Sequence, residues 1–191
     1  MHKVLTIKLV LASGSPRRAE LLKKAGFSFR IQPVDVDETL SGEMKPTEAA
    51  LQLAHRKFQH FQFSDPEEIV VTADTIVAAG NFMLAKPADH EDAYQMLSTL
   101  SSRVHQVITG VCIGNKKRKH SFYETTQVEF DALTEQEIKY YIETYQPFDK
   151  AGAYGIQEWI GMIGISKING CYYNVMGLPV RQLYRQLKDF I

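Results

Sequence analysis

Short apolar strands interleaved with amphipathic helices predict an α/β fold on a mixed sheet. Three observations carry that reading. Lys8-Leu9-Val10-Leu11-Ala12 is an apolar run of the length of a buried strand. Ala93, Met96, Leu97 and Leu100 recur at helical spacing within 89–100. Phe122, Thr126, Val128 and Phe130 alternate with Tyr123, Thr125, Gln127 and Glu129, the pattern of a half-buried strand.

The elements follow in order. After the first strand, Ser13-Gly14-Ser15-Pro16-Arg17-Arg18 reads as a turn into a helix, with Ser15 as N-cap and Pro16 in the first turn. Gly26 closes that helix in the left-handed C′ position. A second strand is expected over 27–31, then an acidic loop, Asp35-Val36-Asp37-Glu38, and a helix capped by Thr47 and running to about Phe61. Ile69 to Asp74 reads as a strand ending in an Asp-Thr turn, followed by a hairpin around Gly80-Asn81. Two long strands over about 104–113 and 121–130 flank a basic turn. Thr134 with Glu137 forms a capping box for a helix to about 144. A glycine-rich stretch over 149–164 leads to a strand near Ile165, an Asn169-Gly170 turn and a last helix from Pro179. No repeat, low-complexity run or linker divides the chain, so residues 1–191 are expected to form a single domain.

Composition narrows the function. A chain of 191 residues is expected to expose roughly 9,200 Å² when folded and to bury about 70% of its surface, enough for a core without metal or disulfides. The 22 basic residues balance 22 acidic ones, which excludes a global attraction for nucleic acid or acidic membranes. The run Lys116-Lys117-Arg118-Lys119-His120 is read as a solvated turn, not a nucleic-acid patch. Cys112 and Cys171 are too few for a disulfide framework or a cysteine zinc site, and reduced thiols are expected. No apolar run suits a signal peptide or membrane span, so a cytoplasmic protein without membrane or nucleic-acid partners is expected. The six histidines show no HExxH motif, and there is no GxSxG. His105 is read as a core histidine, and Trp159, Tyr140-Tyr141 and Tyr172-Tyr173 as packing residues.

Five features carry chemistry. The Ser13–Arg18 turn places small residues, a helix N-terminus and two arginines together, either as a phosphate cradle or as a plain helix start. It lacks the GxxxxGK[ST] pattern of a Walker loop. Lys57 falls inside the apolar stripe of its helix with Leu53 and Phe61 at i±4, so it needs a buried carboxylate or an anionic ligand unless it snorkels to the edge. Asp74, at the expected end of a buried strand, stands where open α/β sheets place ligands, and with Glu38 offers hard oxygens for a divalent cation; otherwise it is a turn residue. Lys86-Pro87 delivers a cation on a loop, or is surface. In Asp149-Lys150-Ala151-Gly152-Ala153-Tyr154-Gly155-Ile156-Gln157, glycines permit a tight bend, and Gln157 offers donors and an acceptor to an amide or imide edge. Several cations and carboxylates at loop ends, with no nucleophile, favour metal-assisted water attack on a polyphosphate.

Leu11-Ala12-Ser13-Gly14-Ser15-Pro16-Arg17-Arg18, Ala73-Asp74-Thr75, Lys86-Pro87, Thr109-Gly110-Val111, 149–157 and Gly177-Leu178-Pro179, in that order, resemble the Maf family of nucleoside triphosphate pyrophosphatases. The resemblance implies an elongated, two-lobed fold like that of the inosine triphosphate pyrophosphatases, with a cleft between the lobes. It also implies hydrolysis of a nucleoside triphosphate to the monophosphate and pyrophosphate with Mg²⁺ or Mn²⁺. By the same resemblance Asp74 is the proton acceptor, and Arg17, Thr75 and Gln157 select the base as in the branch acting on dTTP and UTP. The branch acting on 7-methyl-GTP typically has a bulky residue in place of Arg17 and Gln in place of Thr75. Ser13, Arg18, Glu38, Lys57 and Lys86 fall on positions similar to the phosphate- and metal-contacting set. Gln157 is followed by Glu158-Trp159-Ile160, where many relatives have a glycine. Two rivals remain: house-cleaning of modified pyrimidine nucleotides, and a nucleotide-binding regulator of septum formation that needs no turnover. A homodimer is the default assembly.

Overall fold

The structure is a computed structural model and describes residues 3–40, 42–80 and 82–191, the side chain of Lys3 excepted. The expected turn residue Asn81 lies outside the described residues. The strands are β1 (Leu9–Leu11), β2 (Phe29–Ile31), β3 (Ile69–Ala79), β4 (Phe82–Leu84), β5 (Val104–Gly114), β6 (Lys119–Phe130) and β7 (Ile165–Asn169). The helices are α1 (Pro16–Lys24), α2 (Pro46–His60), α3 (His90–Leu100), α4 (Glu135–Tyr145), α5 (Trp159–Gly164), α6 (Tyr172–Val175) and α7 (Val180–Leu187). Among the described residues, these seven strands form one sheet in the order β2-β1-β3-β5-β6-β7, with β4 on β3. β1 pairs in parallel with β2 and β3, while β3/β4 and β6/β7 are antiparallel, so the sheet is mixed, as the sequence predicts.

Contacts divide the chain into two compact units. The first comprises Met1–Asp74, Thr109–Glu124 and Gly177–Ile191; the second comprises Thr75–Ile108 and Thr125–Met176. In the first, Val10, Ala12, Ala54, Phe58, Phe61, Val70 and Cys112 form a buried cluster, with Val34 and Phe63 packed on it. α1 starts with Pro16 after an extended Ser15 and ends as expected: Gly26 has φ +80°, its N–H donates to Lys23 O, and Phe27 N–H donates to Leu22 O. In the second, α3 buries the expected Ala93, Met96, Leu97 and Leu100 behind an Asp89 cap. α4 carries the expected Thr134–Glu137 capping box. Both cysteines are free thiols, Cys112 buried and Cys171 partly so.

Two expectations need correction. β3 does not end at Asp74 but runs unbroken to Ala79, because the β-branched and small residues on both sides of Asp74-Thr75 suit a buried strand. α2 is capped by Lys45 with Pro46 in its first turn, so Thr47 lies inside the helix; the Glu48 carboxylate still accepts from the Lys45 N–H at 3.4 Å. Residues 159–164, read from sequence only as the end of a glycine-rich stretch, form α5, where Ile160 and Gly164 are buried. The tyrosine pairs also divide: Tyr141 is fully buried, while Tyr172 and Tyr173 are exposed and pack edge-on against each other.

His105 is a core histidine, 1% exposed, stacked on Phe130 with its Nε2 2.7 Å from the Tyr154 hydroxyl and its Nδ1 unpartnered. Burial pushes its pKa down to about 4, from 6.5. The unfolded chain therefore takes up a proton near pH 6.5 that the folded chain refuses until pH 4, so this contribution is complete above pH 6.5 and is lost as pH falls towards 4. The loss amounts to about 3 kcal/mol. Urea unfolding of wild type and His105→Gln at pH 7 and pH 4.5 measures it; equal pH dependence in the two proteins would refute the assignment.

Candidate active site

In the first unit the site begins where β1 ends. Ala12 N–H donates to Val71 O, which carries the chain on beside β3 before it turns through Ser13 and Gly14 into α1. The Ser13 hydroxyl accepts from Ser15 N–H at 3.2 Å and from Arg18 Nη1 at 3.1 Å. Arg18 is buried, and its Nε also donates to Gly177 O at 2.8 Å, so one guanidinium ties the turn to the segment before α7. Burial pushes the Arg18 pKa below its ordinary value, against the attraction of Asp74 and Glu38. Arg17, in the same turn of helix, is half-buried.

Lys57 points inward as its place in the apolar stripe predicts. Its ammonium lies 2.5 Å from Asp74 Oδ1 and 2.7 Å from Glu38 Oε1. Lys57 and Asp74 are nearly buried, whereas the Glu38 side chain is 43% exposed. Two features set this geometry. Thr72 Oγ1 donates to Ala54 O at 2.7 Å, hooking α2 onto β3 one turn before Lys57. Gly110 of β5 sits so close to α2 that a Cβ there would stand 2.4 Å from the Ala50 carbonyl. The close approach of helix and strand requires glycine. Gly110→Ala is expected to cost about 1–3 kcal/mol by forcing α2 outward. A thermal melt indistinguishable from wild type would contradict this.

Glu38 is brought in by Arg56, the neighbour of Lys57 on α2. The Arg56 guanidinium donates to Thr39 O at 3.0 Å and to Asp37 O, holding the acidic loop from both sides of Glu38. Sequence reasoning missed Arg56 and the packing role of Gly110. The only signal for Gly110 was its place in the Thr109-Gly110-Val111 motif, and Arg56 had none.

The other candidates lie in the second unit. Thr75 follows Asp74 in β3 and is half-buried; Lys86 is exposed between β4 and α3, beside a buried Pro87. The Asp149–Gln157 segment is anchored by Gly152, whose N–H donates to Ala85 O at 3.0 Å. Gly152 has φ +70°, and a Cβ there would press on Val77 at 3.0 Å. Gln157 is half-buried, and its Oε1 is buried without a hydrogen-bond partner. A buried amide oxygen left without a donor is costly, and a ligand N–H would satisfy it.

Among the described residues no group of three or more His, Cys, Asp or Glu side chains stands together to hold a metal alone. Asp74 and Glu38, however, aim oxygens at one cation, the Lys57 ammonium. Two converging carboxylates are a fitting hard-oxygen set for Mg²⁺ or Mn²⁺, with water and phosphate oxygens completing the shell. No helix among the described residues is long and apolar enough to cross a membrane.

The model of the family described as "Maf-like protein" matches residues 8–190. A dTTP/UTP pyrophosphatase of Bacteroides fragilis is 47% identical over 184 residues, covering 95% of each chain. One from Parabacteroides distasonis is 47% identical over 186 residues, 96% of each. One from Carboxydothermus hydrogenoformans is 48% identical over 186 residues, 96% of this chain and 99% of its own. A family match across nearly the whole length, together with relatives this similar from end to end, means that the chain belongs to the Maf family.

Proposed function

We propose that this protein is a nucleoside triphosphate pyrophosphatase that hydrolyses dTTP and UTP to the monophosphate and pyrophosphate, with residues 1–191 acting as one domain. The observation that carries the reading is the Asp74–Lys57–Glu38 cluster: a buried carboxylate fixed in position by Lys57, with Arg18 close by, on a chain whose relatives are named for this reaction. Asp74 takes the proton from a water whose oxygen attacks the α-phosphorus. The bond from that phosphorus to the bridging oxygen breaks, and pyrophosphate leaves with the bonding electrons. Lys57 holds the carboxylate in one orientation. Ser13, Arg17, Arg18 and Lys86 bind the phosphates and offset the charge that grows on the leaving group. Glu38 and Asp74 would hold a Mg²⁺ or Mn²⁺ ion, which would further neutralise the phosphates. Arg17, Thr75 and Gln157 select the base, and the unpartnered Gln157 Oε1 matches the N3–H of uracil and thymine.

The test is pyrophosphate release from dTTP, UTP, CTP, ATP, GTP and 7-methyl-GTP with Mg²⁺ or Mn²⁺. Selective release from dTTP and UTP is expected. Orthophosphate release would mean that a different bond breaks. Tight nucleotide binding without turnover would favour a regulatory role instead.

A further inference from the structure

The Asp149–Gln157 segment and the start of α5 contain a buried polar cluster. Tyr141 of α4 is fully buried, yet its hydroxyl has two partners. It donates to Glu158 Oε2 and accepts the Gly155 N–H at 3.0 Å. The other oxygen of that carboxylate, Glu158 Oε1, lies 3.2 Å from the ammonium of Lys150, which is itself buried and also paired with Asp149 at 2.7 Å. Burial, then the bond to the Glu158 carboxylate, pushes the Tyr141 phenol upward, so it stays a donor across the working range of pH. Gly155 completes the cluster. A Cβ on it would stand 2.7 Å from the Glu158 carboxyl carbon and 2.9 Å from Gln157 Nε2. The Gln157 amide and the Glu158 carboxylate thus both lie against the bare face of one glycine, and that glycine's N–H is bound by the tyrosine that binds the carboxylate.

We propose that Tyr141, Glu158 and Lys150 are positioning residues that clamp the backbone at Gly155 and hold the Gln157 amide in the orientation that reads the pyrimidine base. The inference rests on the reading of Gln157 as the base-selecting residue. Polar groups at this depth cost stability unless all are partnered, and here the three side chains satisfy one another and one backbone N–H. What the clamp supplies is a fixed direction for Gln157 Oε1. A fixed acceptor discriminates the N3–H of uracil from the N3 lone pair of cytosine, whereas an amide free to turn would present its NH₂ to cytosine instead.

The experiment measures kcat and KM for UTP and CTP in Tyr141→Phe, Glu158→Gln, Gly155→Ala and Gln157→Ala, with melting temperatures alongside. The nearest atoms a Cβ at Gly155 would meet are side-chain ends, not backbone, so Gly155→Ala displaces the amide and the carboxylate while keeping the chain in place. Tyr141→Phe and Gly155→Ala are expected to raise KM for UTP about tenfold, to leave kcat within about threefold, and to lower the UTP-over-CTP ratio of kcat/KM about tenfold. Glu158→Gln, which keeps an acceptor for Tyr141, should fall between them and wild type. Adding Tyr141→Phe to Gln157→Ala should change the ratio no further, since the tyrosine acts through the glutamine. If Gln157→Ala lowers the ratio while Tyr141→Phe and Gly155→Ala leave it within twofold, the clamp is overturned and the base-reading role stands. A ratio unchanged in Gln157→Ala overturns the base-reading role, and the clamp with it.

Discussion

Asp74→Asn is expected to lower kcat for UTP about 10³-fold, the scale of a lost general base. The substitution preserves shape, and the Asn oxygen can still accept from the Lys57 ammonium, which keeps Glu38 at 2.7 Å as its charged partner. The fold should therefore survive, and nucleotide binding should weaken far less than turnover. Rapid-quench measurement of pyrophosphate release, with calorimetric titration of UTP on the same protein, separates the two effects. A kcat within tenfold of wild type would remove Asp74 from the role of proton acceptor. Loss of binding in step with kcat would instead make it chiefly a holder of the substrate's counter-ion. Glu38→Gln provides the contrast, because Glu38 is half exposed and is held by loop contacts from Arg56. It should weaken Mn²⁺ binding, measured by calorimetry without nucleotide, without abolishing turnover to the same degree.

Much of the site was legible because it rests on local patterns. Lys57 stood out because one turn of helix separates it from Leu53 and another from Phe61, so a charged residue in that stripe must meet a partner. The Ser13–Arg18 turn was readable from its cap and its proline. The reading failed where tertiary packing overrides local signals. Asp74-Thr75 looks like a turn, yet the Lys57 ammonium lets the carboxylate sit in mid-strand, and β3 continues through it. Residues 159–164 hold two glycines and resemble a loop, but Gly161 lies where a Cβ would meet Ile156 O at 1.9 Å, and Gly164 lies against Leu133 and Phe130. Both glycines are there for close packing and leave the helix intact. Arg56 was unreadable because its partners are backbone carbonyls, which no sequence pattern marks.

Lys57→Met should be the most destabilising single change in the first unit, costing about 3–5 kcal/mol. Methionine has a similar length and fills the same channel between α2 and β3, so the loss arises from charge more than from a cavity. Removing the ammonium leaves Asp74 buried beside an uncharged chain, with Arg18 as the cation that remains close. Glu38, 43% exposed, can return to water and contributes little to the penalty. If the cost is that of one stranded carboxylate, removing that charge as well must recover part of it. The double variant Lys57→Met/Asp74→Asn should therefore be more stable than Lys57→Met alone, even though it carries one more substitution, and urea unfolding of the four proteins closes the cycle. Additive losses would show instead that Lys57 and Asp74 contribute to the fold independently of each other. Turnover should fall in both variants, so stability decides between the two accounts where activity cannot.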